Sequence, residues 1–403
     1  MRRQTILTII AVLIVLIGLG VAVFFVFFSN KKPAVSVTSS ENPFGEAGTR
    51  TPPTSNTTGP VEGAGTVVAP HLIRIAEGPV AKGAVALPTK AEAVASGTLA
   101  LADTEVRYIE RASGNIYSFR VHDRTLTRTS NKTLPGVLEA AWLPDGSRAF
   151  ARFLTNDAGV DRVATYALSA DGSEGFFLEA NLVSVGAFGS TSMFSLLPSA
   201  NGSVATLASA SGANARTLFT SPMSAITLKA AGTNFVATTK PAATMDGYAF
   251  LVNGKTGVFS RILGPFSGLV TLPDPTGAYV LYSYTQRGKG YLAVFDVTKR
   301  TITQLPVATI ADKCAWAAGS REIYCGVPQS MTGTIPDDWY QGATSFTDRL
   351  WKINLDTRLA TLIADPGQLA QVSLDMVSLT IDRANDVLVF TNKKDGSLWV
   401  YDF

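Results

Sequence analysis

Histidine is nearly absent from this chain: there are two in 403 residues, His71 and His122. A zinc centre built on several histidines cannot form from so few. A Ser-His-Asp hydrolase would have to use one of the two, and the Gly-x-Ser-x-Gly elbow that presents such a serine does not occur. No P-loop is found, and no Gly-x-Gly-x-x-Gly follows a strand, so the nucleotide motifs are missing as well. Cysteine also numbers two, without the Cys-x-x-Cys spacing of a redox dithiol. Charge is sparse at 16%. Between residues 33 and 403, 30 basic side chains face 31 acidic ones, which leaves no basic footprint for nucleic acid. The sequence therefore points to no metal, no cofactor and no nucleic-acid partner.

Apolar residues, in contrast, are concentrated at the start. Residues 5–28 form 24 positions without a charge. As a helix they would span about 36 Å, against a hydrocarbon core of about 30 Å. A cleaved signal peptide is the rival reading, but it needs a small-residue cleavage site. Here the run ends in Phe24-Phe25-Val26-Phe27-Phe28, followed by Ser29-Asn30-Lys31-Lys32. The expectation is an uncleaved transmembrane helix at 5–28, behind a cytoplasmic stub at 1–4. Residues 29–66, rich in Ser, Thr, Pro and Gly, read as a flexible linker. Arg2 and Arg3 before the span nearly balance Lys31 and Lys32 after it, so charge alone does not orient it. A four-residue leader makes a poor external domain. The chain is therefore expected to be a single-pass protein of the cell membrane with the bulk, 67–403, outside the cytoplasm.

That bulk is organised by a repeat. Residues 274–306 alternate apolar and polar side chains through three short runs, each bounded by Gly, Pro, Asp or Lys. Such alternation between turn residues is the signature of antiparallel strands. Equivalent strong strands start near residues 105, 148, 192, 234, 278, 321 and 386, at intervals of 43, 44, 42, 44, 43 and 65. The last interval carries an insertion of about 20 residues, placed at 328–347. A period of about 40–45 residues with four strands per unit is that of a propeller blade. Residues 397–403 end the chain in a third strand whose outer edge would be left unpaired. The spare strand at 71–76 is expected to pair with it.

The turn Pro144-Asp145-Gly146 and the third strands at 115–119 (NIYSF) and 349–353 (RLWKI) carry a family likeness. From about residue 67 to 403 the chain resembles WD40-like and TolB-like β-propellers, in particular membrane-anchored bacterial propellers of uncharacterised function. Seven copies of the unit suggest seven blades, and the expectation is an all-β, seven-bladed β-propeller closed by its N-terminal strand.

Candidate chemistry is thin. In a hairpin around Gly319-Ser320, Cys314 falls opposite Cys325, within reach of a disulfide, with two buried thiols as the alternative. Trp142, Trp316, Trp351 and Trp399 read as packing between blades. The acidic turn at 156–161 lacks the spacing of a calcium loop. The insertion brings together Asp337, Asp338, Trp339 and Tyr340, two carboxylates beside two flat aromatic surfaces. These four are the candidate ligand- or partner-binding residues, since long loops on rigid scaffolds often carry function. The alternative is that Trp339 folds back to pin the loop onto its own blade. In propellers of the resembled kind, loops joining second and third strands open on a face that commonly carries the ligand site. The functional expectation is an interaction module for a protein or glycan of the cell envelope. The alternative is an enzyme, glycan-active or lactone-hydrolysing, with carboxylate chemistry at the central opening.

Overall fold

The computed structural model describes residues 61–89, 103–157, 159–382, 384 and 386–403. The apolar run 5–28 and the linker up to residue 60 lie outside them. Among the described residues no helix is long and apolar enough to cross a membrane.

Strands dominate, in antiparallel meanders. The described chain opens with β1 (Thr66–Ala69) and β2 (Leu72–Ala76). The first complete sheet is β3 (Val85–Pro88), β4 (Thr104–Ile109), β5 (Ile116–Arg120) and β6 (Thr125–Arg128). The second holds β7 (Val137–Trp142), β8 (Arg148–Asp157), β9 (Val160–Ser169) and β10 (Gly175–Phe177). The third holds β11 (Ser184–Phe188), β12 (Ser192–Ser199), β13 (Gly202–Ser209) and β14 (Arg216–Ser221). A seven-stranded sheet follows, of β15 (Ile226–Ala231), β16 (Asn234–Thr239), β17 (Asp246–Asn253), β18 (Phe259–Pro273), β19 (Tyr279–Gln286), β20 (Lys289–Asp296) and β21 (Thr301–Gln304). After a 3-10 turn at Ala311–Lys313 come β22 (Cys314–Trp316), β23 (Glu322–Pro328), β24 (Asp348–Asn354) and β25 (Ala360–Ala364). Two short helices, α1 (Asp337–Gln341) and α2 (Pro366–Ala370), flank β24 and β25. The chain ends in β26 (Met376–Ile381), β27 (Val387–Asn392) and β28 (Leu398–Asp402).

The expected strand starts agree with β4, β8, β12, β16, β19, β23 and β27 to within one residue. The number of sheets is six among the described residues, because β18 runs for 15 residues without a turn. Its first half pairs with β17 up to Ser267, and its second half pairs with β19 from Ser267 onward. Register shifts on both sides, with Gly264 at φ 107° and Gly268 at φ 64°, give the strand the twist needed to pass from one meander into the next.

The sheets close on themselves. Inner strands touch in cyclic order: the segment before β3 meets β7 through Lys82 and Leu138, then follow β7, β11, β15, the end of β18, the turn before β22, β26, and β3 again. The ends of the chain seal the ring as expected, with Leu72 opposite Tyr401, Ile73 opposite Val400 and Arg74 opposite Trp399. β1 adds a fifth strand outside β2, which the sequence pattern did not announce. Val61, near the end of the expected linker, pairs with Leu126 on β6.

Packing between sheets supplies the core. Leu281, Leu292 and Val294 on one sheet meet Trp316, Ile323 and Ile353 on the next, all under 8% exposed. The inner-strand tryptophans bridge neighbours as expected: Trp142 Nε1 donates to the Gly83 carbonyl at 2.9 Å, and Trp316 Nε1 to that of Leu272 at 3.0 Å. Turns are tight where sheets meet. A Cβ on Gly277 (φ 80°) would lie 2.5 Å from the Ala231 carbonyl oxygen, so the position requires glycine. Buried aspartates brace these turns. Asp274 accepts from the Tyr279 amide at 2.7 Å and from the Ser320 hydroxyl of the next sheet at 2.5 Å. Asp382 accepts from the Thr104 hydroxyl at 3.0 Å.

Candidate binding site at the ring axis

The inner strands leave a cavity of about 720 Å³ on the axis. Its wall is built from β7 (Glu139), β11 (Ser184), β15 (Thr227, Lys229) and β18 (Thr271), and it is completed by Asp337, Tyr340 and Gln341 of the insertion. The volume falls within the usual range for ligand sites, about 300–1,000 Å³. Inner strands are buried on both faces by neighbouring sheets, so polar side chains on them are retained only where they find partners or water. Here the partners are explicit. Lys229 Nζ donates to Asp312 Oδ1 at 2.7 Å and to the Thr271 carbonyl at 2.8 Å. Tyr340 donates its hydroxyl to Asp312 Oδ2 at 2.7 Å. Burial acts to raise the Asp312 carboxyl, but the Lys229 ammonium and the hydrogen bonds from Lys229 and Tyr340 outweigh it, and the group titrates below its ordinary range. Tyr340 moves well above the ordinary phenol value, through burial of its hydroxyl first and the Asp312 charge second. Glu139 is ion-paired with Arg152.

The insertion joins β23 to β24 and reaches over the axis. The four candidate residues share the short helix α1 but not one surface. Asp337 accepts from the Ala243 amide at 2.6 Å, which ties the loop to the seven-stranded sheet. Asp338 turns back to the Thr334 amide at 2.7 Å. Tyr340 stays 44% exposed while its hydroxyl points inward. Trp339 is only 3% exposed, the folded-back arrangement of the two left open by the sequence. Asp337 and Tyr340 therefore line the cavity, Trp339 sits beneath it, and Asp338 serves the loop itself.

No family model and no curated protein matches the chain. Solved structures do resemble it. An oligogalacturonate lyase from Vibrio parahaemolyticus superposes with a TM-score of 0.52 at 8% identity, over 82% of this chain and 93% of that one. The β-propeller domain of the trilobed protease from Pyrococcus furiosus gives 0.47 at 10% identity, over 80% and 94%. TolB from Acinetobacter baumannii gives 0.42 at 11% identity, over 64% and 62%. At such identities the likeness concerns the fold, and it agrees with the cyclic order of the sheets. The fold is that of a β-propeller.

Beneath the insertion the propeller holds a charge cluster that the sequence did not reveal. Lys313, Asp348 and Asp375 are all 0% exposed. Lys313 Nζ lies 2.7 Å from Asp348 Oδ2, and it also pairs with Asp375. Asp375 accepts from Trp339 Nε1 at 3.1 Å and from the Phe346 amide at 3.0 Å. Asp348 accepts from the Met376 amide at 2.6 Å, while its Oδ1 has no partner. Burial is the main cause pushing the Asp348 carboxyl up to about 6, with the Lys313 ammonium opposing it. The Trp339 ring lies under two ammonium groups, Lys313 at 5.1 Å and Lys393 at 5.0 Å. The three charged residues are distant in sequence, at the end of the 3-10 turn, at the start of β24 and just before β26, so no local pattern marks them.

The remaining sequence candidates resolve simply. Cys314 and Cys325 form a disulfide, Cα atoms 4.1 Å apart, in the expected register. In the acidic turn, Asn156 Nδ2 donates to Asp161 Oδ1 at 2.7 Å, a hairpin bond. Both histidines brace the junction at the chain end: His71 Nδ1 lies 2.7 Å from the Asp402 carbonyl oxygen, and His122 lies between the Asp103 and Asp402 carboxylates.

Proposed function

We propose that this chain is a single-pass membrane protein whose seven-bladed propeller stands outside the cytoplasm and acts as an interaction module, taking a polar segment of an envelope protein or glycan into its axial cavity. The seven-stranded sheet counts as two blades sharing β18. The observation that carries the reading is the cavity of about 720 Å³, walled by inner strands and overhung by an insertion that presents Tyr340, Asp337 and Gln341. The uncharged run 5–28 supports the anchor. The Cys314–Cys325 disulfide supports an oxidising compartment.

The enzyme reading has less support. Hydrolysis of a glycan would need two carboxyl groups about 5–10 Å apart, free to exchange protons. Among the described axial residues Glu139 is paired with Arg152, Asp312 with Lys229 and Tyr340, and Asp337 with a backbone amide. Carboxylates engaged in this way hold a wall together.

The test is site-specific photo-cross-linking of the full-length chain in its own membrane, from position 340 and from position 302, which is exposed on β21. A discrete adduct from 340 that is absent from 302 is the expected result. Adducts from both alike, or from neither, would overturn the reading. Labelling with a membrane-impermeant reagent on intact cells tests the compartment.

A further inference from the structure

Tyr340 and Asp312 are walls of two chambers. Beyond the larger cavity lies a second, of about 390 Å³, bounded by Leu272, Trp339, Val377, Lys82 and Lys393, with Tyr340, Asp312 and Glu139 shared between the two. Its electrostatics differ from those of the first. The shared carboxylates are already committed, Glu139 to Arg152 and Asp312 to Lys229. Lys313 is consumed by Asp348 and Asp375. Neither Lys82 nor Lys393 has an ion pair among the described residues. Lys393 makes one long hydrogen bond, 3.4 Å, to the Thr344 carbonyl and lies over the Trp339 ring. Burial, followed by the neighbouring charges of Lys82 and Lys313, outweighs Asp375 and lowers its pKa. Two ammonium groups thus face a half-enclosed chamber without an ion pair among the described residues.

The backbone at this wall is also unusual. β26 shifts register between Val377 and Thr380, and Ser378, on the chamber wall, sits at φ 53°. Bulges and left-handed non-glycine residues cluster where a structure re-aims groups at a ligand.

The geometry points to a carboxylate subsite: Lys82 and Lys393 receive the carboxylate of a ligand whose body passes Tyr340 into the larger chamber. A carboxylate suits the place better than a bare inorganic anion, because Leu272, Val377 and the Trp339 ring offer apolar wall to a carbon skeleton beside the charged pair. Charge-assisted hydrogen bonds from ammonium groups are the stronger kind, and they gain where water is thinned. This inference rests on the proposed binding role of the axis and names its chemistry.

Calorimetric titration of the full-length chain in detergent tests it with two matched pairs of probes: a tripeptide with a free C-terminus against its amide, and a hexuronate against the corresponding hexose. The expected result is that at least one acid binds tenfold or more tighter than its uncharged partner, a difference of about 1.4 kcal/mol. Whichever pair shows the preference separates a peptide terminus from an acidic sugar. Lys82→Gln and Lys393→Gln should each abolish it, and Lys393→Arg should restore most of it. Lys82 is exposed, so its variant decides the question if Lys393→Gln folds poorly. Equal binding of acid and uncharged partner, no binding of either acid, or a preference that survives Lys82→Gln would overturn the subsite. Failure of the axial reading is distinguishable. In that case position 340 yields no adduct, whereas failure of this inference alone leaves the adduct intact and indifferent to both lysine variants.

Discussion

Two junctions in this propeller solve one problem by opposite means. Where β17 and β19 meet across β18, the backbone itself is the joint: one strand serves both meanders, and its N–H and C=O groups pair on either side. The side chains there are modest, a Thr238–Thr271 hydroxyl pair at 2.6 Å facing the axis. Where β22 meets β26, no strand is shared, and the joint is the buried cluster Lys313–Asp348–Asp375 capped by Trp339. Backbone pairing is satisfied by construction and tolerates change in side chains. A buried charge cluster is stable only when complete, because desolvation costs each ion several kcal/mol and only its partners offset that cost. The β18 junction should therefore be robust to side-chain substitution and the Lys313 junction fragile.

The largest effect is expected from Asp375→Ala. It removes an acceptor from Lys313, Trp339 and the Phe346 amide together. A loss of about 3–5 kcal/mol in urea unfolding is expected. A loss under about 1 kcal/mol would mean that the cluster is not a joint at all.

Next comes Trp339→Ala, at about 3 kcal/mol, with new protease cleavage in 328–347 as the loop loses its anchor. Tyr340→Ala, at a half-exposed site, should change unfolding by less than about 1 kcal/mol while removing the adduct expected of the proposed partner. If Tyr340→Ala proved the more destabilising, the division between anchor and site would be reversed.

A third test uses acid. The Asp348 pKa is raised in the folded protein to about 6, above its ordinary value of 3.8. Between those values the folded state holds a proton that the unfolded state has released, so this group's contribution to stability falls as pH rises. The contribution is complete below the lower value, is lost through about 6, and amounts to roughly 2–3 kcal/mol. The unpartnered Oδ1 is where that proton is expected. Unfolding midpoints measured across this window should fall with pH more steeply in the wild type than in Asp348→Asn. Parallel curves would mean that Asp348 does not titrate there.

The smallest effect is expected at the other junction. Thr238→Val with Thr271→Val deletes both hydroxyls of one pair, and stability should move by no more than about 1 kcal/mol. A loss comparable to that of Asp375→Ala would break the contrast between the joints.

What the sequence determined is local. Period-two alternation places each strand, turn residues punctuate it, and a spacing near 43 residues repeats the unit, so β12 and β16 begin where the pattern puts them. The disulfide was legible because Cys314 and Cys325 are 11 residues apart in one hairpin whose turn fixes the register. Closure by β2 followed from an edge that had to be covered. The insertion's position was readable too, as an interruption of the period. Tertiary structure decided the rest. It ran β18 through two meanders, added β1 outside the closing strand, and buried Trp339 while leaving Tyr340 at the cavity. It also brought Lys313 to Asp375 across 62 residues and Lys229 to Asp312 across 83. A strand's pattern is set by its own two faces, but a charge finds its partner only after the ring has closed. Until then Lys313, Asp348 and Asp375 look like any polar residues beside a turn.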